Sequence, residues 1–178
     1  MSPILIAFAL SACMQDGAVT EPASDAPATS ETPIASGERI AFSLEPCFGF
    51  CPDFELEIDG SGRGTYDGQN FVLQRGRHDF SASAEEVAAF AERLAPFRPA
   101  QDTSYGYDNC DVPVYTDAPS VRITWFGEDG NRTELNWYLG CRQPGLVEHE
   151  GTITEAWEEL PIGHLVGSDE DRASYRDR

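Results

Sequence analysis

Four cysteines, Cys47, Cys51, Cys110 and Cys141, stand in the body of the chain, with a fifth at Cys13. Thiols at such positions do one of three things: they form structural disulfides, exchange electrons through a thiolate, or hold a soft metal. Zinc sites use paired C-x₂-C spacing, which this chain lacks. Redox pairs use C-x-x-C at the head of a helix, whereas three residues separate Cys47 from Cys51, between two strand-like segments. An even set therefore points first to disulfides. Three pairings are open. The favoured one joins Cys47 to Cys51 and Cys110 to Cys141, the longer bridge contributing roughly 3–4 kcal/mol through loop-closure entropy.

Other chemistry is sparse. His78 adjoins Asp79 on a predicted strand, where neighbours face opposite ways, so the two do not form a base–orienter pair. His149 and His164 lie near helix ends without a carboxylate or cysteine at ligand spacing. Asp102, Asp108, Asp111 and Asp117 crowd one irregular stretch; hard cations favour such sets, but no EF-hand pattern is present and a solvated acidic loop is the simpler reading. No serine-hydrolase elbow, zincin helix or phosphate-binding loop occurs. Gly60-Ser61-Gly62-Arg63-Gly64 joins strands, with no helix to offer its N-terminus to an anion. Neither metal nor cofactor is expected. Phe48, Phe50, Tyr105, Tyr107 and Tyr115 fall in predicted loops. With Asp108, the aromatics Phe48, Phe50, Tyr105 and Tyr107 form the candidate ligand-binding set, suited to a cationic peptide or a glycan.

These residues need a frame. The chain has 178 residues, twelve basic residues (all Arg, no Lys) against 31 acidic, and a net charge of −19. That balance excludes nucleic acid as a partner, since phosphate binding requires a basic surface. From Arg39 onward the period is two: Ile40, Phe42, Leu44, then Phe54, Leu56, Ile58. Asp59-Gly60-Ser61-Gly62 is turn chemistry, followed by a weaker strand at 64–66. Asp67-Gly68 reads as a second turn, leading into Phe71–Gln74 and His78–Phe80. The first half is thus an antiparallel meander. Ser83 and Glu86 have capping-box spacing, and Val87, Phe90, Ala91 and Leu94 form one apolar helical stripe ended by Pro96 and Pro99. Residues 100–119 read as irregular. Val121, Ile123 and Trp125 then pair with Leu135, Trp137 and Leu139 across a turn at 128–131. A closing helix is predicted over about 152–160, with Thr152 and Glu155 at cap spacing and Ile153, Ala156, Trp157 and Leu160 buried. The expected fold is α+β: an antiparallel sheet of meander and hairpin strands with two helices packed on one face.

The N-terminus is of another kind. Ile4 to Leu10 is an apolar run too short to span a bilayer, ending in Leu10-Ser11-Ala12-Cys13. This resembles the lipobox of bacterial lipoprotein signal peptides. The resemblance implies cleavage before Cys13, lipidation of its thiol and acylation of the new amine. Met14 and Gln15 follow, and the lack of Asp there implies the outer membrane. Residues 14–38 are rich in Ala, Ser, Thr, Pro and acid, with no basic residue, which suits a flexible tether reaching roughly 25–30 Å. The expected organisation is a signal peptide at 1–12, a lipidated Cys and tether at 13–38, one domain at 39–167 and a charged, frayed tail at 168–178.

Pro46-Cys47-Phe48-Gly49-Phe50-Cys51-Pro52-Asp53-Phe54 resembles the Pro-Cys-x-Gly-x-Cys-Pro-x-aromatic motif of a bacterial domain family of unknown function, whose members are mostly small lipoproteins and secreted proteins. Tyr66-Asp67-Gly68, Gly76-Arg77-His78, Phe97, Asp102 to Tyr105 and Asp117-Ala118-Pro119 are similar in order. Cys110 and Cys141 depart from that core. The resemblance implies a fold and an address but no activity. Together these features lead to the expectation of a lipid-anchored envelope protein facing the periplasm, non-catalytic, meeting an envelope protein, peptide or glycan. The alternative is a thiol-redox or other envelope enzyme using Cys47 and Cys51, or His78 with a loop aspartate.

Overall fold

The computed structural model describes residues 37–174. The expected signal peptide at 1–12, Cys13 and the expected tether up to residue 36 lie outside them, as do the last four residues.

Among the described residues seven strands build one sheet: β1 (Arg39–Leu44), β2 (Asp53–Asp59), β3 (Arg63–Asn70), β4 (Gly76–Ser81), β5 (Thr103–Tyr105), β6 (Ser120–Phe126) and β7 (Arg132–Tyr138). Their order is β4-β3-β2-β1-β6-β7-β5. All neighbours are antiparallel except β5, which runs parallel to β7. The domain is thus a mixed α/β structure on a mostly antiparallel open sheet, whose first four strands form a meander.

The two-residue period places the core-forming side chains of the central strands on one face. Register stacks them in rows. Ile58, Ile40 and Trp125 form one; Leu56, Phe42, Ile123 and Leu135 the next; Phe54, Leu44, Val121 and Trp137 a third. All are buried. Fully burying each such side chain stabilises the fold by about 1.5–3 kcal/mol.

Helix α1 (Ala84–Leu94) starts on a complete capping box: Ser83 Oγ accepts from the Glu86 N–H, and the Glu86 carboxylate accepts from the Ser83 N–H. The two orphan donors are satisfied reciprocally. Its stripe, Val87, Phe90, Ala91 and Leu94, is buried, with the Phe90 ring edge-on to Phe42 at 6.2 Å.

Four local expectations are overturned. Asp67 and Gly68 are not a turn but lie inside β3. A Cβ on Gly68 would overlap the Gln74 carbonyl and crowd the Tyr66 hydroxyl and Val72, so glycine is there for close approach rather than turning. Residues 71–74, in turn, are the bend rather than a strand, opened by Phe71 at φ 53°. Residues 100–119 hold β5, whose three residues are too few to show a period.

The predicted helix over 152–160 is broken into α2 (Glu150–Thr154) and a 3₁₀ turn (Ala156–Glu159), without the Thr152 cap. Gly151 and three consecutive β-branched residues, Thr152, Ile153 and Thr154, weaken regular α-helix there. The buried stripe survives the break: Ile153, Ala156, Trp157 and Leu160 all enter the core. The chain continues through α3 (Gly163–Val166) into α4 (Asp169–Ala173), so the tail starts as a helix, capped by Ser168 accepting from the Asp171 N–H.

Candidate functional site

Register brings the C-terminal ends of β1, β3, β5 and β7 and the N-terminal ends of β2, β4 and β6 to the same end of the sheet. Three connections meet there: β1–β2, β3–β4 and β5–β6. Both disulfides staple them, Cys47–Cys51 within the first and Cys110–Cys141 between the third and the segment after β7. Each bond spans 5.7 Å between Cα atoms, the usual separation for a bridge.

The same three connections carry the exposed large apolar side chains of the described residues: Phe48, Phe50, Leu73, Tyr107 and Tyr115. Phe48 is 88% exposed at the tip of the five-residue disulfide ring, whose turn is closed by the Gly49 N–H donating to the Cys47 carbonyl at 2.9 Å. Phe50 leans back and meets Phe71 edge-on at 5.2 Å. The β3–β4 bend is held from behind, with the Leu73 and Gln74 N–H groups donating to the carbonyls of Val166 and Leu165.

On the other flank, Asn109 shapes the turn that presents Tyr107: its side chain accepts from the Gly106 N–H at 2.8 Å and donates to the Ser104 carbonyl at 2.6 Å. Tyr107 stacks on Tyr138 with centroids 5.0 Å apart and hydroxyls 3.1 Å apart. That hydroxyl hydrogen bond pushes the Tyr107 phenol above its ordinary value. Tyr115 is exposed beside Asp117, and Asp108 is exposed next to Tyr107. Tyr105, by contrast, lies in β5, half-buried against the core, and is not a loop residue.

A pocket of about 240 Å³ opens at the same end. Leu44, Pro52, Pro119, Leu139 and Trp157 give it an apolar lining, and Glu155, Glu158 and Asp169 line it too. Sequence patterning assigned Leu44, Leu139 and Trp157 to the core, and nothing local distinguishes a core residue at a sheet end from one that floors a pocket.

The remaining candidates do not converge. His78 sits on edge strand β4, its Nε2 3.1 Å from the Arg75 carbonyl and its ring beside Tyr66. Five strand spacings of about 4.8 Å separate β4 from β7, so His78 and the aspartates beyond that strand cannot share a substrate atom. Those aspartates are turned to separate tasks. Asp102 accepts from the Glu134 N–H and Arg132, while Asp111 accepts from the buried Gln143 amide at 2.6 Å. Among the described residues no group of three or more His, Cys, Asp or Glu side chains could hold a metal ion. No helix among them is long and apolar enough to cross a membrane. Gly37, where the described residues begin, lies at the opposite end of the sheet, its N–H donating to Glu128 in the β6–β7 turn.

The chain matches DUF6438, a domain of unknown function, over residues 38–156, and belongs to that family. No curated protein shows significant similarity to it. No solved structure does either.

Proposed function

We propose that this DUF6438 chain is a non-catalytic binding module of the bacterial cell envelope, held by a lipid on Cys13 and presenting the disulfide-bearing end of its sheet to a cationic polypeptide segment. The observation that carries this is the gathering of Phe48, Phe50, Leu73, Tyr107 and Tyr115 on the three connections at one end of the sheet, the end at which an apolar pocket also lined by Glu155 and Glu158 opens. Rigid aromatic anchors beside a desolvated pocket are the usual source of binding energy. The acidic side chains and the net charge of −19 select a basic partner and raise its rate of encounter.

The lipobox-like Leu10-Ser11-Ala12-Cys13, and the absence of Asp after it, support outer-membrane anchoring facing the periplasm. Several buried acyl methylenes at about 0.8 kcal/mol each make two or three chains a lasting anchor. The motif from Pro46 to Phe54 is read as the family's signature. The helical segments are read as packed on one face, which Phe90 against Phe42 and Trp157 against Phe54 support. A tether joined at Gly37 would then turn the aromatic end away from the membrane, by roughly the 20 Å of a six-residue strand.

Photo-crosslinking from position 48 in intact cells, with intact-mass analysis of the extracted protein, tests both parts. The expected result is an acylated Cys13 and a crosslink to a basic envelope protein that is lost in Trp157→Ala. Crosslinks to glycan alone, or residues 1–12 still attached, would overturn the reading.

A further inference from the structure

The opposite face of the sheet carries a second groove, of about 380 Å³, unrelated to the disulfide end. Its floor is the central strand β1, where Ala41 and Ser43 line the groove on that side. Its walls follow from register: Ser43 is paired with Glu55 on β2 and with Arg122 on β6, and Ala41 with Glu57 and Thr124. Small residues between long charged ones make the depression.

Two features of this groove are unusual for a solvated sheet face. Ser43 is only 7% exposed, lines the groove, and its hydroxyl makes no hydrogen bond among the described residues. Its oxygen opens into the groove rather than being sealed: among the described residues the buried side-chain polar atom without a partner is the Tyr66 hydroxyl, not Ser43 Oγ. Secondly, Glu55 and Arg122 flank Ser43 in the same cross-strand row yet do not pair with each other. Arg122 is drawn to Glu45, and Glu55 has no ion pair among the described residues; its other cross-strand neighbour is the like-charged Asp67. Like charges directly opposite are destabilising. The row thus holds a carboxylate on one side, a guanidinium on the other and a free hydroxyl between, with Cα atoms two strand spacings or about 10 Å apart.

We propose that this groove binds a free α-amino acid: its ammonium against Glu55, its carboxylate against Arg122, and Ser43 Oγ hydrogen-bonded beneath. A serine hydroxyl can donate to the carboxylate or accept from the ammonium. Both ionic contacts are charge-assisted, and the guanidinium can meet the carboxylate through two parallel hydrogen bonds. The volume lies within the range of small-molecule sites.

Titrating the full-length protein with glycine, methylammonium and acetate, by calorimetry and by ¹⁵N amide shifts, tests the assignment. Glycine is expected to saturate and to move the amides of Ser43, Glu55 and Arg122. Methylammonium and acetate, each half of the ligand, should bind at least about tenfold more weakly, since each forgoes one ionic contact. Glu55→Gln and Arg122→Gln should each weaken glycine by about tenfold or more, and Ser43→Ala by less. If methylammonium equals glycine, or the variants bind like the parent, the proposal fails. The wild-type amide shifts report the site even where a variant is poorly folded: no saturable shift at these three positions overturns it directly.

Discussion

The indole N–H of Trp137 donates to the Cys141 carbonyl at 2.7 Å, so the largest fully buried side chain is tied to the backbone of a disulfide cysteine. Cys141 is itself 0% exposed, and the bond to Cys110 anchors the β5–β6 connection to the end of β7. Replacing both cysteines with serine should cost about 3–4 kcal/mol from the reopened loop. Urea unfolding monitored by tryptophan fluorescence reads this. A loss below about 1 kcal/mol would mean the connection is held without the bridge.

The two disulfides should differ in reducibility. Cys47 and Cys51 are half-buried on an exposed turn, whereas Cys141 is sealed in the core. Access of the attacking thiolate governs exchange. Limited reduction followed by alkylation and peptide mapping should label Cys47 and Cys51 first, with the fold retained. Opening this small ring costs about 2 kcal/mol in the same entropy model. Labelling of Cys110 first would contradict the burial.

Phe48→Ala should leave stability within about 0.5 kcal/mol of the parent, because an exposed side chain away from packing contributes little to the fold. It should still weaken capture of the basic partner proposed above, read by crosslinking from position 50 instead of 48. A variant that unfolds would show that Phe48 packs in solution.

Gly68→Ala is expected to cost about 1–3 kcal/mol, since its Cβ has no room beneath the Gln74 carbonyl. Gly163→Ala, with open space around the added methyl group, should be neutral within about 0.5 kcal/mol. Thermal melts of the two variants side by side make the comparison.

Acid should open turns and caps. Hydrogen bonds from Ser61 hold the Asp59 carboxyl below its ordinary value; those from Ser83 do so for Glu86, and those from Asn131 for Asp129. A depressed folded-state pKa contributes stability in full above the unfolded value. That contribution is lost as pH falls through the folded one. Stability should therefore decline below about pH 4. Asp59→Asn should flatten that decline; identical acid unfolding of Asp59→Asn and parent would refute the assignment.

Much of the frame was legible residue by residue. Ile40, Phe42 and Leu44 read as a strand because a two-residue period is written in adjacent positions. Ser83 and Glu86 read as a cap because both partners lie within one turn. Failures came where a distant group decides. Gly68 looks like a turn residue until the Gln74 carbonyl is placed above it, and the three residues of β5 become a strand only when β7 lies alongside.

The candidate site divides the same way. Phe48, Phe50, Tyr107 and Asp108 are identifiable as aromatic and acidic loop residues, whereas Tyr105, expected in a loop, lies in a strand because its placement depends on pairing with Trp137. Composition and local period alone determined the charge, the alternating strands and the capped helix. Tertiary structure alone decided that three connections far apart in sequence share one end of the sheet, and that Trp157 lines a pocket beside them. It also set Glu55 and Arg122 on either side of Ser43. Strand order and register are fixed by pairing between distant segments, and those pairings are sums of many weak contacts that no short window of sequence contains.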